Sequence, residues 1–217
     1  MVKKLFWEDP YLCELETTVS SVVADCITLN ETIFYAFSGG QESDAGTIGG
    51  FEVMEARKDG REIIYRMAED HGLAPGQPVT VRIDRDRRYA LMRHHFAAEL
   101  ILELVCQRLK TVEKIGAHIA ENKARIDFYW PENISPLFPE LLARASELID
   151  EDLPITSAFS DEASQRRYWQ VDGVARVPCG GTHLKRTGEV GQLGLKRRNI
   201  GKGKERIEIH ATGRVDG

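Results

Sequence analysis

Residues 84–110 read DRDRRYALMRHHFAAELILELVCQRLK, and the periodicity of the chain changes within this stretch. Leu91, His95, Ala98, Leu102, Val105 and Leu109 fall at i, i+4, i+7, i+11, i+14 and i+18, the spacing of one face of a helix. Before it the chain reads as strands. LCELETTVSSVVADCITL (12–29) is rich in β-branched residues, which favour a pleated surface. FEVMEARKDGREIIYRM (51–67) sets Asp59-Gly60 between two strand-like runs, a hairpin signal in which both turn residues reach positive φ. APGQPVTVRID (74–84) turns at Pro and Gly and then alternates Val79, Val81, Ile83. FYAFSGGQESDAGTIGG (34–50) is a glycine-rich loop between these runs.

After the helix the reading is mixed. ARIDFYW (124–130) is strand-like, Pro136–Asp150 is a second amphipathic helix with Leu137, Leu141, Ala145 and Leu148 on one face, and RRYWQV, VARV and ERIEIHA are short strands. The expected class is α+β: a small N-terminal β-barrel over residues 1–85, and a C-terminal domain over 86–217 with helices packed on an antiparallel sheet. The charged run DRDRR (84–88) marks the boundary.

The 217 residues carry 29 Lys and Arg against 34 Asp and Glu, so a protein that simply coats nucleic acid is not expected, and local basic patches become the question. No apolar run approaches the ~18 residues of a membrane span, and the N-terminus MVKKLFWEDPYL lacks a signal-peptide core. The expectation is a cytoplasmic protein with no membrane partner. The four cysteines Cys13, Cys26, Cys106 and Cys179 are too few and too scattered for a disulfide scaffold. A special cysteine is therefore sought in metal or catalytic chemistry.

VPCGGTHLKRTGEVG (177–191) offers one. Cys179 and His183 stand four apart across Gly180-Gly181-Thr182, and a thiolate and an imidazole at this spacing grip one metal if the glycines let the loop fold tightly. Alone the pattern fits equally a buried thiol and a hydrogen-bonded histidine. MRHHFAAEL (92–100) supplies a second half: His95 lies on the apolar face and Glu99 follows one turn on. Imidazole, carboxylate, thiolate and imidazole make a zinc (Zn2+) set. His94, about 100° around the helix, reads as a surface or supporting residue. No phosphate-binding loop or dinucleotide fingerprint is present.

Taken in order, MRHHFAAEL, GAHIAENKARIDF (116–128), CGGTHLKRTGEVG (179–191) and GKGKERIEI (201–209) resemble the editing domain of alanyl- and threonyl-tRNA synthetases, and SGGQESDAG (38–46) ahead of them resembles the glycine-rich motif of the preceding alanyl-tRNA synthetase segment. Over roughly residues 33–210 the chain resembles the free-standing alanyl-tRNA editing proteins of the AlaX family. The resemblance implies zinc-assisted hydrolysis of the ester joining a wrong amino acid, serine or glycine, to tRNA(Ala). It also implies a zinc held by His-x-x-x-His and Cys-x-x-x-His. Carried over by position, His95, Cys179 and His183 match ligands, and Glu99 stands where the family has its second histidine. Ala98 departs too, standing where a small hydroxyl residue is common.

Glu99 has two readings, a fourth ligand or a general base beside a three-ligand zinc, and the positional match favours ligation. Thr182 is the other catalytic candidate, and Thr187-Gly188-Glu189 reads either as pocket lining or as a turn alone. Ser38, Gly39, Gly40, Gln41 and Asp44 match the glycine-rich motif, set either against RNA and the pocket edge or as a structural turn. Between Lys185 and Arg206 stand eight Lys and Arg against two Glu. LKRRNIGKGKER (195–206) reads as a hairpin whose tip holds phosphate through Lys202 and Lys204, with Arg197 and Arg198 behind it. Arg82–Arg88 is a second arginine-rich stretch. The competing class is a tRNA-binding or regulatory homologue impaired in catalysis, motivated by Ala98 and Glu99; a third is a structural zinc domain, which would unfold on metal removal.

Overall fold

The computed structural model describes residues 2–212. It divides into two compact units: residues up to Ser38 with Glu42–Tyr89, and Gly39–Gln41 with the residues from Ala90 onward.

The first unit is built of strands β1 (Lys3–Lys4), β2 (Glu14–Val23), β3 (Cys26–Leu29), β4 (Glu31–Thr32), β5 (Gly46–Ile48), β6 (Phe51–Glu52), β7 (Glu55–Asp59), β8 (Glu62–Arg66) and β9 (Pro78–Ile83). Seven of them form the barrel-type sheet, ordered β6-β5-β9-β2-β3-β8-β7 and curled as a half-barrel. β1 pairs separately with β4. Alternation along each strand sends Ile27, Leu29, Ile63, Tyr65, Val79 and Val81 into a core closed by Phe6, Ile33 and Phe34. The β7–β8 hairpin corrects the expected turn. Asp59 pairs with Glu62, so the turn residues are Gly60 and Arg61. Among them only Gly60 has positive φ, at 57°, because a turn of this kind needs the left-handed region at its first central residue alone.

Helix α1 (Arg85–Arg108) starts in the first unit. Asp84 caps it, its carboxylate accepting from Arg87 N–H at 3.0 Å. The second unit continues with β10 (Glu113–Ile119), β11 (Ala124–Tyr129), α2 (Phe138–Asp150), β12 (Thr156–Asp161), β13 (Arg166–Val171), β14 (Ala175–Pro178), β15 (Gln192–Gly201) and β16 (Lys204–Thr212). One antiparallel sheet runs β10-β11-β16-β15 and a second β12-β13-β14. The architecture is α+β, as the sequence implied. α2 begins later than expected, because Ser135–Leu137 forms a tight 3-10 turn ahead of it.

α1 corrects the single-face reading. Met92, His94, Phe96, Ala97, Leu100 and Ile101 are buried along with Leu91, His95 and Ala98. Apolar residues occupy every side of this segment, as expected of a helix enclosed by its unit rather than laid on its surface. Phe96 meets Trp169 of β13 edge-to-face at 5.1 Å, both wholly buried. All four cysteines are free thiols.

Candidate metal centre

α1 projects His95 and Glu99 on one face, one turn apart. The loop after β14 returns Cys179 and His183 to them. One ligand atom from each of the four lies within 4.8 Å of all the others. His95 Nε2 is 3.4 Å from Cys179 Sγ and 3.4 Å from a Glu99 oxygen, whose second oxygen is 3.2 Å from His183 Nε2. Ligands at ~2.0–2.3 Å around a tetrahedral ion stand ~3.4 Å from one another, so these spacings and donor types fit zinc.

The site is almost closed to solvent. His95 is 5% exposed and His183 4%. Burial by itself would lower the His95 pKa, but the Cys179 sulfur and the Glu99 carboxylate more than offset it and raise it to about 10. Burial also disfavours His183 protonation, and the same two partners reverse it upward. Burial would push the Cys179 thiol up, yet His95 and His183 bring it down to about 7. For Glu99 burial opposes ionisation and the two imidazoles overcome it, holding the carboxyl far below its usual range. Two basic and two acidic groups thus stabilise one another's charged forms, and a cation entering the cluster replaces protons on the imidazoles.

Supporting groups fix both rings. His95 Nδ1–H donates to Gln41 Oε1 at 2.5 Å, which directs Nε2 into the cluster, where a cation would replace its proton. Gln41 Oε1 also accepts from Thr182 N–H, and its Nε2 donates to Thr182 Oγ1 at 2.9 Å. Ser157 Oγ lies 3.3 Å from His183 Nδ1. Neither the Gln41 nor the Ser157 role was read from the sequence. Gln41 lies inside SGGQESDAG, but nothing local marks which residue of that motif meets a histidine 54 positions on.

The glycines of CGGTH act differently from one another. A Cβ on Gly181 would stand 1.9 Å from His95 Cε1, whereas one on Gly180 would meet nothing within 4 Å. Neither has positive φ. Close approach of a ring, rather than tightness of the turn, requires Gly181.

The glycine-rich motif is spread over both units. Gly39 (φ 62°) and Gly40 (φ 89°) bring Gln41 alongside β10, where it bridges Ile119. A Cβ on Gly40 would be 2.6 Å from the Ala117 carbonyl oxygen. Ser38 accepts at its carbonyl from the Tyr35 hydroxyl. Asp44 is buried in the first unit, bonded to Tyr35 N–H at 2.7 Å and paired with Arg88, which also donates to the Pro10 and Ile33 carbonyls.

Thr187 is buried too, donating to Leu148 C=O at 2.6 Å and accepting from Leu153 N–H. Glu189 accepts from the Lys185 and Arg186 amides. The TGE turn thus locks the end of α2. His94, read as a surface or supporting residue, is 4% exposed, which removes the surface alternative. Its Nε2 accepts from Ala211 N–H of β16 at 3.2 Å and its Nδ1 donates to Ala90 C=O at 3.0 Å. Its correction follows from the enclosure of α1.

The basic hairpin is formed by β15 and β16, with Lys202 at its tip in the left-handed region (φ 54°). Lys204 Nζ lies 5.1 Å above the Tyr129 ring. Arg197 and Arg198 part company: Arg197 makes a two-pronged pair with buried Glu205, while Arg198 faces the other way, toward Glu208 at 3.4 Å. Among the described residues no helix is long and apolar enough to cross a membrane.

Comparison with known proteins places the chain among relatives. The family described as "Threonyl and Alanyl tRNA synthetase second additional domain" matches residues 171–208. An alanyl-tRNA editing protein AlaX-M of Pyrococcus horikoshii is 34% identical over 96% of this chain and 97% of its own. One of Methanosarcina barkeri is 30% identical over 95% of this chain and 98% of its own. An alanine–tRNA ligase of Ignicoccus hospitalis is 32% identical over 98% of this chain, which corresponds to 26% of the ligase.

Proposed function

Because the chain belongs to the AlaX-M alanyl-tRNA editing proteins, we propose that it deacylates mischarged tRNA(Ala), removing serine or glycine by zinc-assisted ester hydrolysis in the cytoplasm. The observation that carries this reading is the convergence of His95, Glu99, Cys179 and His183 from two distant segments within 4.8 Å. His95 and His183 would hold zinc through Nε2, Cys179 through its thiolate and Glu99 through a carboxylate oxygen. Bound there, zinc supplies Lewis acidity beside the ester carbonyl.

The chain's own groups position the rest. Gln41 fixes the His95 ring and Thr182 together, and Ser157 steadies His183. In this reading Thr182 shapes the reaction site through its place beside His183. An aminoacyl ester is already labile, so exclusion of water from all but one position and alignment of the carbonyl contribute much of the acceleration. With a thiolate and a carboxylate both ligating, the charged site sums to neutral, and its polarising power falls below that of a set with a third imidazole. Residues 1–85 and 86–217 act as the two functional domains, with Gly39–Gln41 lent to the second.

The test is hydrolysis of Ser-tRNA(Ala) and Gly-tRNA(Ala) with and without a chelator. Hydrolysis abolished by chelation and restored by zinc is expected; chelator-insensitive hydrolysis contradicts the zinc role. The Glu99 departure favours one second reading, a homologue that binds tRNA without cleaving it, and that reading predicts no hydrolysis with zinc fully loaded. Glu99→Gln separates ligand from base. The ligand role predicts lost zinc, whereas full zinc content with no hydrolysis would assign the base role.

A further inference from the structure

Residues directly opposite one another in adjacent strands share a face of the sheet. In β10-β11-β16-β15 the pairs Ala124–Ile209, Ile126–Ile207 and Leu195–Ile209 face the core. The other face is built in rows. Tyr129 stands opposite Lys204; Asp127 opposite Arg206, with Arg198 beyond; and Arg125 opposite Glu208, with Lys196 beyond. Lys123 reaches the same face through Glu208 at 3.2 Å. Six Lys and Arg thus share the face with three carboxylates, Asp127, Glu208 and, on β10 opposite Tyr129, Glu113. Glu113 stands at the β10 edge, and the other two sit centrally: Asp127 is paired with Arg125 and Arg206, and Glu208 with Lys123 and Arg198.

These pairs hold the cations in fixed places without neutralising the face. Arg198 and Lys123 remain 54% and 43% exposed at the side chain, and Lys196 is exposed. Gly194 adds no side chain opposite His210, which keeps the face low beside Lys196. Lys204 and Arg206 on β16, and Lys196 and Arg198 on β15, stand two residues apart, ~7 Å along each strand. Tyr129 is the one Phe, Tyr or Trp of the rows, 46% exposed with Lys204 Nζ over its ring, so the face offers a single such platform for unpaired bases among its cations.

We infer that the outer face of this sheet, rather than the hairpin tip alone, is an RNA-docking surface that tracks the phosphate backbone of a double-helical segment. The occupant is chosen by charge complementarity and by the excess of fixed cations over the one stacking ring. The inference rests on the proposed function only in taking the RNA to be the helical part of the tRNA substrate.

Its test is the salt dependence of binding, measured on the full chain with uncharged tRNA(Ala), with an RNA hairpin and with a single strand of the hairpin's length. The Lys196→Gln/Arg198→Gln pair should lower the slope of log K against log salt for tRNA and hairpin by about 0.7–0.9 per cation removed, with metal content and melting temperature unchanged. Arg144→Gln on α2 should leave the slope as it is. Wild-type binding with a slope unmoved by the pair overturns the docking face and leaves the proposed function standing. A slope change confined to the single strand overturns the double-helical assignment. Absence of tRNA binding by the wild type at low salt overturns both.

Discussion

Gln41 Oε1 and His95 Nδ1 are 2.5 Å apart, although the residues are separated by 54 positions. An amide oxygen only accepts, so Nδ1 keeps its proton in either charge state of the ring and Nε2 is the nitrogen turned to Cys179 and Glu99. Losing such a partner leaves the ring free to rotate or to change tautomer. Gln41→Leu should therefore weaken zinc binding roughly 10–100-fold, measured by competition with a chromogenic chelator. Unchanged affinity would mean that packing alone orients His95.

Gly181 has no alternative. Its missing Cβ leaves the space into which His95 Cε1 fits, at 1.9 Å from where that atom would be. Gly181→Ala must displace the ring or the loop, and it should cost about 1–3 kcal/mol of stability by overpacking together with most of the zinc affinity. Gly180→Ala, which meets nothing within 4 Å, should stay within about 0.5 kcal/mol of the parent. Equal effects at the two positions, read by denaturant melts and metal titration, would refute the close-approach account.

What was legible in the sequence follows from what is local. The β15–β16 hairpin, the β11 strand and α2 announce themselves through alternation, turn glycines and helical spacing, because each is decided within a dozen residues. The cluster of His95, Glu99, Cys179 and His183 was legible as types and spacings. Its orienting groups Gln41 and Ser157 were not, since a hydrogen bond across a fold leaves no periodic trace. For His94 the surface alternative fails because helical periodicity assumes a solvent side, and α1 has none around residues 91–101. Arg197 and Arg198 look alike in LKRRN, yet strand alternation sends one to Glu205 and the other to Glu208.

Asp44 illustrates the same limit inside a motif. Its carboxylate is buried against Arg88, with the two side chains 0% and 1% exposed. Removing one member leaves the other charged and without its partner in a dry interior. Asp44→Ala should thus destabilise the first unit by about 3–5 kcal/mol, seen as a lower denaturation midpoint. The folded variant should keep its zinc affinity. A variant with normal stability and weak zinc binding would instead tie Asp44 to the metal centre.

Lys4 gives a pH signature far from the metal. Burial lowers its pKa from 10.5 to about 8, reinforced by Lys58 and Arg61 and opposed by Glu62, while its Nζ lies 4.7 Å from the Trp7 ring centroid. Below pH 8 both folded and unfolded chains carry the proton, and the fold bears the full penalty of a desolvated ammonium. Between about 8 and 10.5 the unfolded chain binds more protons than the folded one, so this group's contribution makes stability rise with pH. Lys4→Met should accordingly be more stable than the parent at pH 7, by on the order of 1 kcal/mol once the lost contact with Trp7 is included. That advantage should shrink as pH rises toward 10.5. Denaturant melts of both proteins from pH 7 to 10.5 measure it, and a difference independent of pH would show that Lys4 keeps an ordinary pKa in the fold.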